Sequence, residues 1–72
     1  MNELQLKIQD LEYTVTELKK ELRRIKSTIN IVEKLGLIPP TEILYKKEKI
    51  ENVLKEYKEE LKALKKVAKL IK

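Results

Sequence analysis

The side chains in this sequence with chemistry to offer are twelve carboxylates, seventeen lysines and arginines, and three tyrosines. Histidine and cysteine are absent. That removes imidazole acid–base catalysis, a thiolate nucleophile, disulfides and the usual ligands of zinc. Carboxylates remain as the general acids or bases. Glu48 with Glu51, and Glu56 with Glu59 and Glu60, fall together on helix faces. Spacings of three and four between Glu and Lys account for both groups as helix-supporting ion pairs. A Glu-x-x-His metal bundle cannot be built without histidine. The expectation is a protein that is not an enzyme and takes no metal or cofactor.

The cations offer a second kind of chemistry. The net charge is +5, yet residues 1–60 balance, with 12 basic and 12 acidic side chains. The last twelve residues carry Lys62, Lys65, Lys66, Lys69 and Lys72 without an acid. A second cluster, Lys19, Lys20, Arg23, Arg24 and Lys26, surrounds the single acid Glu21. Arg23 and Arg24 are the only arginines, and a guanidinium suits bidentate capture of phosphate or carboxylate better than an ammonium does. Both clusters are candidate contacts for anions or nucleic acid. Both also read as solvated helix faces, since lysines near a helix C-terminus complement its dipole. No helix-turn-helix, RNP aromatic pair or Gly-rich loop is present.

Two amphipathic elements must position these groups. From Leu4 the apolar residues step by four and three through Ile8, Leu11, Val15, Leu18, Leu22, Ile25, Ile29 and Val32. An unbroken 3.5-residue period is the signature of a coiled-coil seam. Asn2 is placed to cap this helix, with Gln5 completing a capping box. Gly36, the one glycine, stands where a left-handed C-cap needs it. Pro39 and Pro40 can neither extend the first helix nor sit inside a second. A second seam follows through Ile43, Ile50, Leu54, Tyr57, Leu61, Leu64, Ala68 and Ile71, with Lys47 at its one polar position. Val53 and Val67 lie beside this seam and widen its apolar stripe. A connection of about five residues favours antiparallel neighbours. The prediction is one all-α domain over residues 1–72: helix about 2–35, loop about 36–40, helix about 41–72.

The seams also bear on assembly. A chain this short holds roughly 3–5 kcal/mol in a single core, so oligomerisation is the remaining support. β-branched residues at most a sites and Leu at most d sites of the first helix favour a parallel pair, while the second helix inverts the pattern and favours four-helix packing. Parallel pairing of equivalent helices would join Lys7 to Glu12, Glu21 to Lys26, Lys46 to Glu51 and Glu60 to Lys65. Within an antiparallel hairpin, Glu12–Lys65 and Lys26–Glu51 are expected to attract, and Lys19–Lys58 and Glu21–Glu60 to repel. The expectation is an antiparallel hairpin with coiled-coil seams that dimerises into a four-helix bundle. An open chain forming a long parallel coiled coil is the rival.

Several residues remain off the seams. Tyr57 reads as core, while Tyr13 and Tyr45 fall at outward positions. With Leu6, Ile31, Leu44 and Leu70 they hint at a partner contact. Leu37 and Ile38 read equally as a plug over the bundle end or an exposed tip. Lys47 either selects the helix register or carries its ammonium out of the seam on a flexible stem.

One segment resembles a known family. Gly36-Leu37, Pro40, Ile43-Leu44, Ile50-Glu51, Val53-Leu54 and Tyr57 look like the hairpin of small sporulation-control aspartyl-phosphate phosphatases. Those two-helix proteins act on phosphorylated response regulators. The family signature Ser-Gln-x-Leu-Asp would fall on Lys47, Glu48, Lys49, Ile50 and Glu51, where Ser and Gln are replaced and Asp has become Glu. The resemblance implies a hairpin that docks on a regulator through its outer face.

Three function classes therefore stand. The first is a self-associating helical module that binds another protein. The second is a nucleic-acid accessory protein that uses the C-terminal lysines, and the third is a regulator-docking hairpin. No apolar run reaches the ~20 residues of a membrane span, and no secretory signal pattern opens the sequence. A cytoplasmic protein is expected. The wealth of Lys, Glu and Ile suits a hyperthermophile or an AT-rich genome.

Overall fold

The computed structural model describes residues 3–71. Two helices, α1 (Glu3–Lys34) and α2 (Thr41–Ile71), pack along each other as a hairpin. The hairpin is a rod with extents of 55 × 16 × 15 Å. Asn2 and Lys72, expected as a cap and a cation, lie outside the described residues.

The turn is built by the one residue type that tolerates it. Gly36 has φ +77°, a left-handed conformation that costs a residue with a Cβ roughly 1–2 kcal/mol. Its N–H donates to the Glu33 carbonyl at 3.0 Å, and the Leu37 N–H donates to the Val32 carbonyl at 3.1 Å. This is the Schellman pairing, which satisfies carbonyls left over at the helix end. It stops α1 at Lys34, one residue short of the expected Leu35. The chain re-enters helix at Thr41, where the Pro40 carbonyl accepts from Ile43 N–H at 3.1 Å and Leu44 N–H at 3.3 Å. Pro40 therefore sits at the cap position just before the helix, where its missing N–H leaves no hydrogen bond unmade. Glu42 lies in the first turn of α2 and Lys69 in its last, both in favourable sense for the dipole.

Burial follows the predicted period. Val15 and Leu54 are 6% exposed and Ile25 is 8% exposed. The other positions of both apolar series are half-buried, apart from Ile71 at the end of α2, which is 66% exposed. Two helices can shield a stripe between them but cannot enclose it, so half-burial along a hairpin seam is the geometric result. The hydroxyls of Thr14, Thr16 and Thr28 donate to carbonyls one turn back, at 3.0, 2.9 and 3.0 Å, which satisfies them within α1.

Among the described residues three ion pairs tie the helices. Glu12 meets Lys65 at 3.5 Å, as expected for an antiparallel hairpin. On the opposite flank Lys46 meets Glu21 at 3.2 Å and Lys7 meets Glu60 at 3.9 Å. The expected repulsion between Glu21 and Glu60 is therefore wrong. Each of these acids faces a lysine: the same alignment that brings Glu12 to Lys65 sets Glu21 opposite Lys46 and Glu60 opposite Lys7 on the other flank, so Glu21 and Glu60 do not meet. The expected Lys26–Glu51 pair is not formed, and Glu51 meets Lys47 at 3.8 Å instead.

Candidate interaction surface

No enclosed site exists among the described residues. No polar or charged residue is buried, and no group of three acidic side chains is placed to hold a metal ion. The depressions on the rod are open grooves lined by side chains of the helix faces. At the segment resembling the phosphatase signature, Lys47 pairs with Glu51 and Ile50 is half-buried in the seam. Those atoms are used for packing and a local ion pair. Lys47 is not isolated in the seam: its side chain is 35% exposed and its ammonium reaches out to that carboxylate.

The hairpin brings together cations that are far apart in sequence. Lys19, Arg23, Lys26 and Lys58 line one groove with Leu22 and Leu54. Leu22, Leu54 and Lys58 also border a second groove, which adds Lys55, Lys62, Glu51 and Glu59. Lys62, Lys65, Lys66 and Lys69 flank a third. Lys69 then shares a fourth groove with Gln5, Ile8, Gln9, Glu12 and Ala68. The grooves share walls, so Lys19, Arg23, Lys26, Lys55, Lys58, Lys62, Lys65 and Lys69 form one continuous flank of the rod. We refer to it as the lysine flank.

Candidate cations from the sequence divide accordingly. Lys19, Arg23, Lys26, Lys62, Lys65 and Lys69 are assembled there. Lys20 and Arg24 are turned to other faces of α1, where they meet Glu17 at 3.6 Å and Glu21 at 3.8 Å. Lys66 stands on the flank's outer border. Sequence reasoning missed Lys55 and Lys58, and Lys58 lies at the junction of two of the grooves. Their heptad phase, shared with Lys62 and Lys65, was the signal available.

The other flank is built differently. The heptad sets Lys7, Glu21, Lys46 and Glu60 there, and these four are joined in two ion pairs across the helices. The same phase brings Thr14, Val53, Ala63, Val67, Leu70 and Ile31 to this side, of which Ile31, Val67 and Leu70 are exposed large apolar residues. This is the mixed flank. At the turn Leu35, Leu37 and Ile38 are exposed, Ile38 by 90%, so the loop is a tip on the hairpin and not a plug. Tyr13 and Tyr45 are exposed on the outer helix surfaces, as their positions predicted.

No helix among the described residues is long and apolar enough to cross a membrane. No known family model matches the chain, and no curated protein or solved structure matches it either.

Proposed function

We propose that this chain is a non-enzymatic helical module that pairs with a second copy through its mixed flank and offers its lysine flank to another macromolecule. The observation that carries the reading is the distribution of apolar surface. The hairpin closes off Val15, Ile25 and Leu54 while leaving the rest of the seam half-exposed. A core this thin supplies little net stability to a chain without disulfides.

The two flanks are unequal as surfaces for self-association. Two lysine flanks brought together would oppose like charges, which is destabilising. The mixed flank carries exposed Val67, Leu70 and Ile31 among charges of both signs, which suits a four-helix contact. Charge pairing between equivalent parallel helices does not guide the choice. Six of the eight side chains expected to make it (Lys7, Glu12, Glu21, Lys46, Glu60 and Lys65) are already joined between α1 and α2 of one hairpin.

Light scattering at micromolar concentration tests this. The expected mass is twice the 8.6 kDa of the chain. Replacing both Val67→Glu and Leu70→Glu should return it to the single-chain value. A single-chain mass for the unsubstituted protein overturns the reading. So does a dimer that survives the double substitution.

A further inference from the structure

We propose that the lysine flank docks on the phosphate backbone of a double-stranded nucleic acid, an inference that names the macromolecule for the outward surface of the self-associating module and rests on that reading. Lys55, Lys58, Lys62, Lys65 and Lys69 recur at steps of three and four, so their ammoniums run in line along ~20 Å of α2 at about 1.5 Å per residue. Across the groove α1 adds Lys19, Arg23 and Lys26. Among the described residues Lys65 is ion-paired, to Glu12, and the other seven are not. A duplex presents one phosphate charge per ~1.7 Å of its axis, and because its strands wind round that axis, a straight line of cations ~20 Å long laid across a groove reaches phosphates on both sides of it.

Other anionic partners fit less well. Lipid surfaces are held by basic residues bordering an exposed apolar face, whereas here Leu54 is closed off and Leu22 half-buried. Ile31, Val67 and Leu70 are exposed on the mixed flank, and Leu35, Leu37 and Ile38 at the tip. Leu44, the exposed apolar residue in the lysine flank's phase, lies at the turn end of α2, 11 residues before Lys55. Single strands are held by aromatic stacking platforms, and this flank has none: Tyr13 and Tyr45 are on outer surfaces and Tyr57 is in the seam. Tight protein partners are anchored by buried aromatic or arginine side chains at the contact centre, and the flank's single arginine is Arg23. What remains is charge at regular spacing, which positions a duplex without reading its bases.

Binding of the full chain to a duplex of about 20 base pairs, followed by fluorescence anisotropy across a salt series, tests the proposal. With about six phosphates neutralised, log affinity should fall against log salt with a slope near −5, or about 10³-fold between roughly 50 and 200 mM. The triple variant Arg23→Gln, Lys58→Gln, Lys62→Gln should reduce the slope magnitude by about 3. The variant Lys20→Gln, Arg24→Gln, Lys49→Gln removes as much charge away from the flank's grooves and should leave the slope unchanged. Circular dichroism checks that both variants keep their helices. A flat salt response of the unsubstituted chain overturns the proposal, as does equal loss in the two variants. Tighter binding to phosphatidylserine vesicles, to a single strand of equal length or to polyglutamate also overturns it. Light scattering on the same samples separates the two readings: a single chain that binds the duplex refutes self-association alone, and a dimer that ignores the duplex refutes docking alone.

Discussion

The two flanks of this hairpin draw on the same residue types and arrive at opposite surfaces. On the mixed flank each lysine that faces the partner helix meets an acid: Lys7 meets Glu60, and Lys46 meets Glu21. On the lysine flank Lys19 and Lys58 line the same groove, and one interhelical pair, Glu12–Lys65, is made. Charge on the mixed flank is used within the fold, whereas on the lysine flank most of it is left unspent. Composition gives no hint of this, since α2 alternates Lys and Glu along its middle. Helical winding does the sorting: Lys55, Lys58 and Lys62 go to one side, while Glu56 and Glu60 go to the other.

The largest effect should come from removing the seam that both flanks share. Leu54 is 6% exposed and borders two grooves of the lysine flank. Truncating a buried Leu to Ala costs about 2–5 kcal/mol, comparable with the ~3–5 kcal/mol a chain of this size holds in a single core. Leu54→Ala should therefore lose most of its helical circular dichroism at 25 °C. A protein that keeps it would show that stability resides in the mixed flank and its partner, not in the seam.

The turn should matter less, because its cost is local. A Cβ on Gly36 would meet nothing within 4 Å, so Gly36→Ala has backbone strain as its only penalty, about 1–2 kcal/mol for a left-handed conformation. In a domain this small each kcal/mol lowers the melting temperature by about 4–8 °C. The ion pairs of both flanks should persist after the substitution, since the helices keep their alignment through the seam. If the melting temperature does not move, Gly36 is not what ends α1.

Much of the fold was legible in the sequence. The 3.5-residue period located the seam positions, since apolar side chains have no other way to leave water on a long helix. Gly36 marked the C-cap because left-handed backbone selects glycine, and Pro39-Pro40 marked a break that no helix tolerates. The flanks were not legible to the same degree. Periodicity fixes the phase of each helix about its own axis but says nothing of how far one slides along the other. The turn set that slide well enough for Glu12 to meet Lys65, but the stagger across the other flank, which brings Glu21 to Lys46 at 3.2 Å and not to Glu60, shows only with both helices in place. For the same reason the clusters around Lys19 and Lys62 read as two patches. Lys58 joins them in space, but in the linear sequence it is masked by its acidic neighbours.

The smallest effects should sharpen the contrast by their sign. Glu21→Gln removes the partner of Lys46 on the mixed flank and should destabilise the hairpin by ~0.2–1 kcal/mol, the range for exposed pairs. Lys58→Gln removes a cation that lines one groove with Lys19, Arg23 and Lys26 and should leave the hairpin slightly more stable. Thermal melts at low ionic strength would resolve the difference, and salt near ~1 M should shrink it, because the Debye length then falls to ~3 Å, the scale of the separation of these exposed charges. Two substitutions that each remove one charge would then move stability in opposite directions. If Lys58→Gln instead destabilises as much as Glu21→Gln does, the ammonium of Lys58 is engaged within the hairpin and not held ready for a ligand. The lysine flank would then be part of the fold's own electrostatics, as the mixed flank is.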